Sequence, residues 1–133
     1  MIVREALLHP RVLEAGATAQ EVAALLSKPN VESALVVDDG GRLLGCVTTK
    51  AVVAAVAEGH DVQGMSAGDL CDPDVTTVGP DTPLEEALHL MAERGLERLA
   101  VAEGGRLLGV LPRAPLVRRL AEDEPPPAEE EPD

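Results

Sequence analysis

Apolar residues along the chain alternate between two rhythms. After Thr18 and again after Thr82 they recur every three or four positions, in A-Q-E-V-A-A-L-L and P-L-E-E-A-L-H-L-M, the period of a one-sided helix. Both runs open on T-x-x-E: Thr18 with Glu21, and Thr82 with Glu85. This spacing predicts a capping box, with the Thr hydroxyl accepting from the amide three residues on and the Glu reaching back. Pro83 suits the first position of the second helix. The helices are expected to run to about Lys28, stopped by Pro29, and to about Arg94, stopped by Gly95.

Short β-rich runs follow each helix. Ala34 to Asp38 and Leu43 to Thr48 are joined by D-D-G-G-R, and Leu99 to Ala102 and Leu107 to Leu111 by E-G-G-R. Paired glycines supply positive φ, so both junctions read as hairpin turns. Gly45 and Gly109 then sit just inside a strand, where a missing side chain admits another backbone or a ligand. The next segment, A-V-V-A-A-V-A from Ala51 to Ala57, is apolar on every side and needs a second layer beyond its own sheet. Extended segments at Arg11 to Ala15 and Asp74 to Val78 precede the first helices. The order is β-α-β-β-α, twice, an α/β (α+β) fold.

The doubling is visible in the letters. G-G-R-L-L-G spans Gly40 to Gly45 and returns at Gly104 to Gly109, and eight of the eleven positions from 35 to 45 match those 64 residues later. An internal duplication follows. The same gapless offset places Thr18 on Thr82, Ala34 on Arg98, Leu35 on Leu99 and Val53 on Val117. The units divide at 1–60 and 61–121, with 122–133 as an acidic, Pro-rich disordered tail.

Composition narrows the function. The formal charge is −13, and the seven acids of Glu122 to Asp133 leave −6 on the rest. Nucleic acid, which demands a basic stripe, is an unlikely partner for such a surface. No apolar run approaches the roughly 20 residues of a membrane span, and the N-terminal residues have no signal-peptide pattern, so a cytoplasmic protein is expected. Cys46 and Cys71 stand in no metal or redox spacing and read as unpaired structural thiols, and the three histidines are scattered, so no metal is expected. No nucleophile and base share a suggestive setting, and no enzyme is expected. With no Phe, Tyr or Trp, any base-binding pocket must use aliphatic side chains and backbone.

Two units in this order, each with its G-x-L-L-G turn, and above all D-L-C-D-P-D-V-T-T-V-G-P-D-T-P-L-E-E-A-L-H-L-M-A-E-R-G-L-E-R-L-A-V from Asp69 to Val101, resemble the CBS (cystathionine β-synthase) domain in its tandem form, the Bateman module. The resemblance implies two repeats packed about a pseudo-twofold axis, with clefts that hold adenine nucleotides (AMP, ADP, ATP) or S-adenosylmethionine. It implies a regulatory module and a homodimer formed through helices. It carries no cofactor.

The family's ribose motif is Ser or Thr, two residues, then Asp, where the last strand enters the last helix. Thr48 keeps the hydroxyl, but Ala51 replaces the Asp, and the second repeat has Pro112 and Pro115 at the two positions. The resemblance therefore implies a weak or atypical nucleotide site built from Thr48, Thr49, Lys50 and Leu35 in one repeat and Thr77, Arg98, Leu99 and Arg113 in the other. The alternative is a CBS pair without a ligand, used for dimerisation or protein interaction.

Overall fold

The structure is a computed structural model that describes residues 1–123, with side chains to residue 118. Two three-stranded sheets form, ordered β1-β2-β3 and β4-β5-β6. The first contains β1 (Val12–Glu14), β2 (Ser33–Val37) and β3 (Leu43–Thr48), and the second β4 (Thr77–Val78), β5 (Arg98–Glu103) and β6 (Arg106–Pro112). In each sheet the first strand pairs parallel to the second, and the second antiparallel to the third. The parallel pairing needs a crossover. It is supplied by α1 (Ala19–Leu26) and α4 (Leu84–Arg94), and α2 (Thr49–Ala57) and α5 (Arg113–Asp123) complete the two units. The order is the expected one. Helix α5 runs two residues past Ala121, and residues 124–133 of the expected tail lie outside the described residues.

Each repeat buries part of its neighbour's chain. The core of the second repeat gathers Leu84, Ala87, Met91, Leu99, Val101, Leu111 and Leu116 around Val3 and Ala6, which lie in a 3-10 turn at the start of the chain. The core of the first gathers Val22, Ala34, Val36 and Val47 around Ala67 and Leu70 of the short helix α3 (Ala67–Leu70). The backbone follows the same exchange: Leu8 bridges Val110, and Asp72 bridges Cys46.

This exchange explains the repeated glycines within the strands. A Cβ on Gly45 would stand 2.5 Å from the Asp72 carbonyl oxygen, and one on Gly109 would stand 2.8 Å from that of Leu8. The close approach expected at these positions is made by the other repeat's backbone.

The gapless offset does not survive. The 64-residue spacing holds for β3 and β6, where Gly45 and Gly109 are equivalent, but the elements before them are 65 apart. Val12 faces Leu35 as Thr77 faces Ala100. Asn30 and Gly95, also 65 apart, are both left-handed, with φ of 65° and 66°. Only Asn, Asp and Gly adopt this conformation readily, so the pair marks equivalent positions between the helix and the strand that follows it, although Gly95 caps α4 directly and Asn30 lies three residues past the C-cap of α1. Arg98 therefore corresponds to Ser33 rather than Ala34, and Leu99 to Ala34 rather than Leu35.

The turns absorb the difference. Asp38 to Arg42 closes on a three-residue loop in which only Gly41 has positive φ, and the Asp38 carboxylate accepts from the amides of Gly40 and Arg42, both at 2.9 Å. Glu103 to Arg106 closes on two residues, Gly104 at φ 61° and Gly105 at φ 88°, a type I′ turn. One spelling supports two turns because Gly40 can be right-handed where Gly104 is left-handed.

The offset also undoes the second capping box. Thr18 caps α1 as expected, with its hydroxyl accepting from Glu21 at 3.1 Å and the Glu21 carboxylate accepting from the Thr18 amide at 2.9 Å. At α4 the N-cap is Pro83, which has no capping side chain. The Thr82 amide donates to Gly79, and the free Leu84 amide finds the Met1 carbonyl at 2.9 Å. The exchanged N-terminal segment satisfies what the box would have satisfied. Helix α1 stops at Leu26, two residues before its expected limit.

Candidate functional site

Each sheet has one edge where two strands begin, the third ends and a helix starts. In the first repeat this edge holds Ser33, Thr48, Thr49 and Lys50. Ser33 pairs with Thr48 across the ladder, and the Thr48 hydroxyl accepts from the Ala51 amide at 3.0 Å, capping α2. Capping explains the Thr without any ligand. The Thr49 amide donates to the Glu32 carbonyl at 3.1 Å, and the Thr49 and Lys50 side chains are exposed. No carboxylate lies within 4.0 Å of Lys50 among the described residues.

The second repeat repeats the geometry with different chemistry. Arg98 opens β5 opposite Pro112, and the Arg113 amide donates to the Glu97 carbonyl at 2.9 Å, matching Thr49 and Glu32. Arg98 is exposed and forms no ion pair with Glu93 or Glu97, while Arg113 is half-buried. Pro112 takes the place of Thr48 and offers no hydroxyl, so α5 starts without a side-chain cap of that kind.

Three expected residues lie away from these edges. Leu35 is half-buried in mid-sheet, between Val12 and Cys46. Leu99 is fully buried in the helix-packed core, so its side chain is not available to a ligand. The one-residue offset is the reason: Ala100 fills the place of Leu35, and Leu99 turns inward with Val101. Thr77 opens β4 and lines a shallow cleft.

That cleft lies between the repeats. It measures about 370 Å³ and is bounded by Leu43 and Leu44 of β3, Pro73, Val75 and Thr77 before and at β4, and Ala102 with Gly104 and Gly105 of the second hairpin. Its lining is aliphatic, glycine backbone and one hydroxyl, the surface expected of a chain without aromatic residues. Of the eight predicted site residues, Thr77 alone lines it. Leu44, Val75 and Ala102 carry no signal of this role, because nothing in sequence shows which hairpin of one repeat faces which linker of the other. A larger hollow of about 500 Å³ lies against β1 and the start of α1, where Glu14 and Glu21 border it. It belongs to a single repeat and has acidic walls.

Electrostatics adds little at either edge. Cys46 and Cys71 are free thiols whose pKa values burial pushes up, in Cys46 against the opposing hydrogen bond from Ser33. They are held neutral rather than activated. Among the described residues no three metal-ligating side chains converge, and no helix is long and apolar enough to cross a membrane.

The comparison with known proteins turns on the two units. The CBS domain profile matches residues 3–58 and again 67–122. The chain belongs to the CBS domain family. Among curated relatives, an uncharacterised protein of Methanopyrus kandleri is 28% identical over 71% of this chain and 49% of its own length. Hypoxic response protein 1 of Mycobacterium tuberculosis is 31% identical over 63% of this chain and 59% of its own length. The A-adding tRNA nucleotidyltransferase of Aquifex aeolicus is 27% identical over 86% of this chain but only 14% of its own length. This CBS pair thus spans between about a seventh and three-fifths of these relatives.

Solved CBS pairs share the fold closely. An acetoin utilization (AcuB) assignee from Vibrio cholerae superposes with a TM-score of 0.80 at 22% identity, covering 95% of this chain and 98% of that one. CBSX2 in complex with AMP gives 0.74 at 27% identity, over 92% and 97% of the two chains. The CBS pair of MJ0100, solved with 5′-methylthioadenosine and S-adenosylmethionine, gives 0.71 at 20% identity, over 93% and 98%.

Proposed function

We propose that this CBS pair is a cytoplasmic regulatory module, not an enzyme, that senses an adenosine-type nucleotide (AMP, ADP or ATP) or S-adenosylmethionine between its repeats. The observation that carries the reading is the exposed Thr49–Lys50 start of α2, capped by Thr48, in a fold whose AMP-bound neighbour is 27% identical. A cation and an exposed hydroxyl at the start of a helix suit an anion.

Affinity is reduced by the absent carboxylate. Ala51 cannot accept from ribose hydroxyls, and losing a charged hydrogen-bond partner costs about 1.5–3 kcal/mol, roughly 10- to 150-fold. A weak sensor with a dissociation constant in the range of cellular nucleotide remains useful, because a ligand shifts a protein through its differential affinity for two states. Composition makes the test simple. Without Tyr or Trp the protein barely absorbs above 260 nm, so co-purified nucleotide would dominate the spectrum. Thermal shifts with millimolar AMP, ADP, ATP and S-adenosylmethionine complete it, and a flat spectrum with no shift sinks the reading.

A second reading, a module for dimerisation alone, is favoured by α2. No residue of this apolar helix is buried, and Val53 and Val56 are 61% and 59% exposed, with Val117 of α5 at 52%. A second copy packing on these helices would supply the missing layer.

A further inference from the structure

We propose that Arg42 and Arg106 form an anion site on the pseudo-twofold axis, taking a small oxyanion of charge −2, of the phosphate type. The two hairpin turns pair with each other: the Leu43 amide donates to the Gly105 carbonyl at 2.9 Å, and the Leu107 amide to the Gly41 carbonyl at 3.0 Å. Between these bonds Arg42 and Arg106 oppose each other as an antiparallel bridge. With the hydrogen bonds made by the flanking residues, this is the non-hydrogen-bonded kind of pair, in which Cα atoms stand about 4.5 Å apart and side chains are closest.

Like charges directly opposite are destabilising. The duplication places the same cation on both sides of the axis, in a chain where 24 acids outnumber 11 Lys and Arg. Both side chains are exposed, yet neither guanidinium has a carboxylate oxygen within 4.0 Å among the described residues. Nearby acids do not offset the pair. The Asp38 carboxylate is held by the Gly40 and Arg42 amides, and Glu103, the cross-strand partner of Arg106, makes no ion pair with it.

The arginines also cross to the opposite repeat. The Arg42 Nη2 lies 2.6 Å from where a Gly105 Cβ would be, and the Arg106 Cγ lies 3.9 Å from that of Gly41. Each side chain rests on the other repeat's glycine turn, which positions it by contact. Guanidinium is a planar donor that binds tetrahedral oxyanions bidentately, and here two of them stand on facing residues without a carboxylate partner. A shared dianion turns the repulsive pair into a clamp across the repeats.

The full chain is titrated with inorganic phosphate, and separately with chloride at matched ionic strength, while far-ultraviolet circular dichroism reads Tm. Phosphate should give a saturable rise of about 3–5 °C beyond chloride, abolished in the Arg42→Gln/Arg106→Gln double variant. Without phosphate that variant should melt no lower than the parent, since repulsion is relieved. Equal responses to phosphate and chloride, or an undiminished phosphate response in the double variant, overturn the site. AMP and adenosine titrations of the same two proteins distinguish the source. Unchanged AMP affinity with the phosphate response lost identifies a free oxyanion. AMP affinity lost with adenosine binding kept identifies the nucleotide's own phosphate, also supporting the arginine site. Because the nucleotide reading is tested by adenosine, its failure and this one are separable.

Discussion

At the scale of single residues, glycines carry the clearest assignments. Gly45 and Gly109 are spaces reserved for the Asp72 and Leu8 carbonyls. Gly45→Ala and Gly109→Ala should each destabilise by about 1–3 kcal/mol, the usual cost of overpacking, read as a lowered urea midpoint. Gly40→Ala is the control from the same hexapeptide. Its Cβ would meet nothing closer than 3.6 Å and its φ is not positive, so the midpoint should hold or rise slightly. The two thiols give a pH dependence with a definite sign. Their folded pKa values lie above the ordinary value, so their contribution is complete at pH 7 and is lost as pH climbs past about 8.5, where the unfolded thiols ionise. Replacing Cys46 and Cys71 with Ala should flatten the fall in urea midpoint between pH 8 and 10.

Among the elements, much was legible. T-A-Q-E gave the start of α1, and Gly95 the end of α4, because caps and left-handed exits are local chemistry. The one-residue offset was hidden because Leu35 with Leu99 and Val37 with Val101 match at 64 by identity, although the ladders align them at 65. Burial periodicity fits the longer offset, with Val22 answering Ala87 and Val36 answering Val101. The caps differ accordingly. Thr48→Ala, which removes the bond to the Ala51 amide, should cost about 1 kcal/mol, whereas Thr82→Ala should change stability by only a few tenths. Chemical denaturation of both variants checks this, and equal losses would mean that Thr82 caps α4 after all. For α2, Val53→Glu with Val56→Glu should leave the fold intact and give a monomer by sedimentation if these exposed valines meet a second copy.

For the whole molecule, the exchange of segments makes the repeats interdependent. Residues 1–60 contain most of the first core but lack Ala67 and Leu70, and they hold Val3 and Ala6, which belong to the second. Such pairing was invisible in sequence because backbone partners such as Leu8 with Val110 lie about a hundred residues apart and leave no spacing signal. The site was partly legible for the same reason. Thr48, Thr49, Lys50, Arg98 and Arg113 fall at the predicted strand ends, whereas Leu99 went to the core and the cleft drew on hairpin residues of both repeats.

This CBS pair, short of its ribose carboxylate, is proposed to bind an adenosine ligand still. Isothermal titration calorimetry of the full chain with AMP tests it most directly, with Arg98→Ala measured beside it. Saturable one-to-one or two-to-one binding is expected, weakened in Arg98→Ala for AMP more than for adenosine. No heat from AMP, ATP or S-adenosylmethionine at millimolar concentration would contradict it and leave dimerisation as the function of the fold.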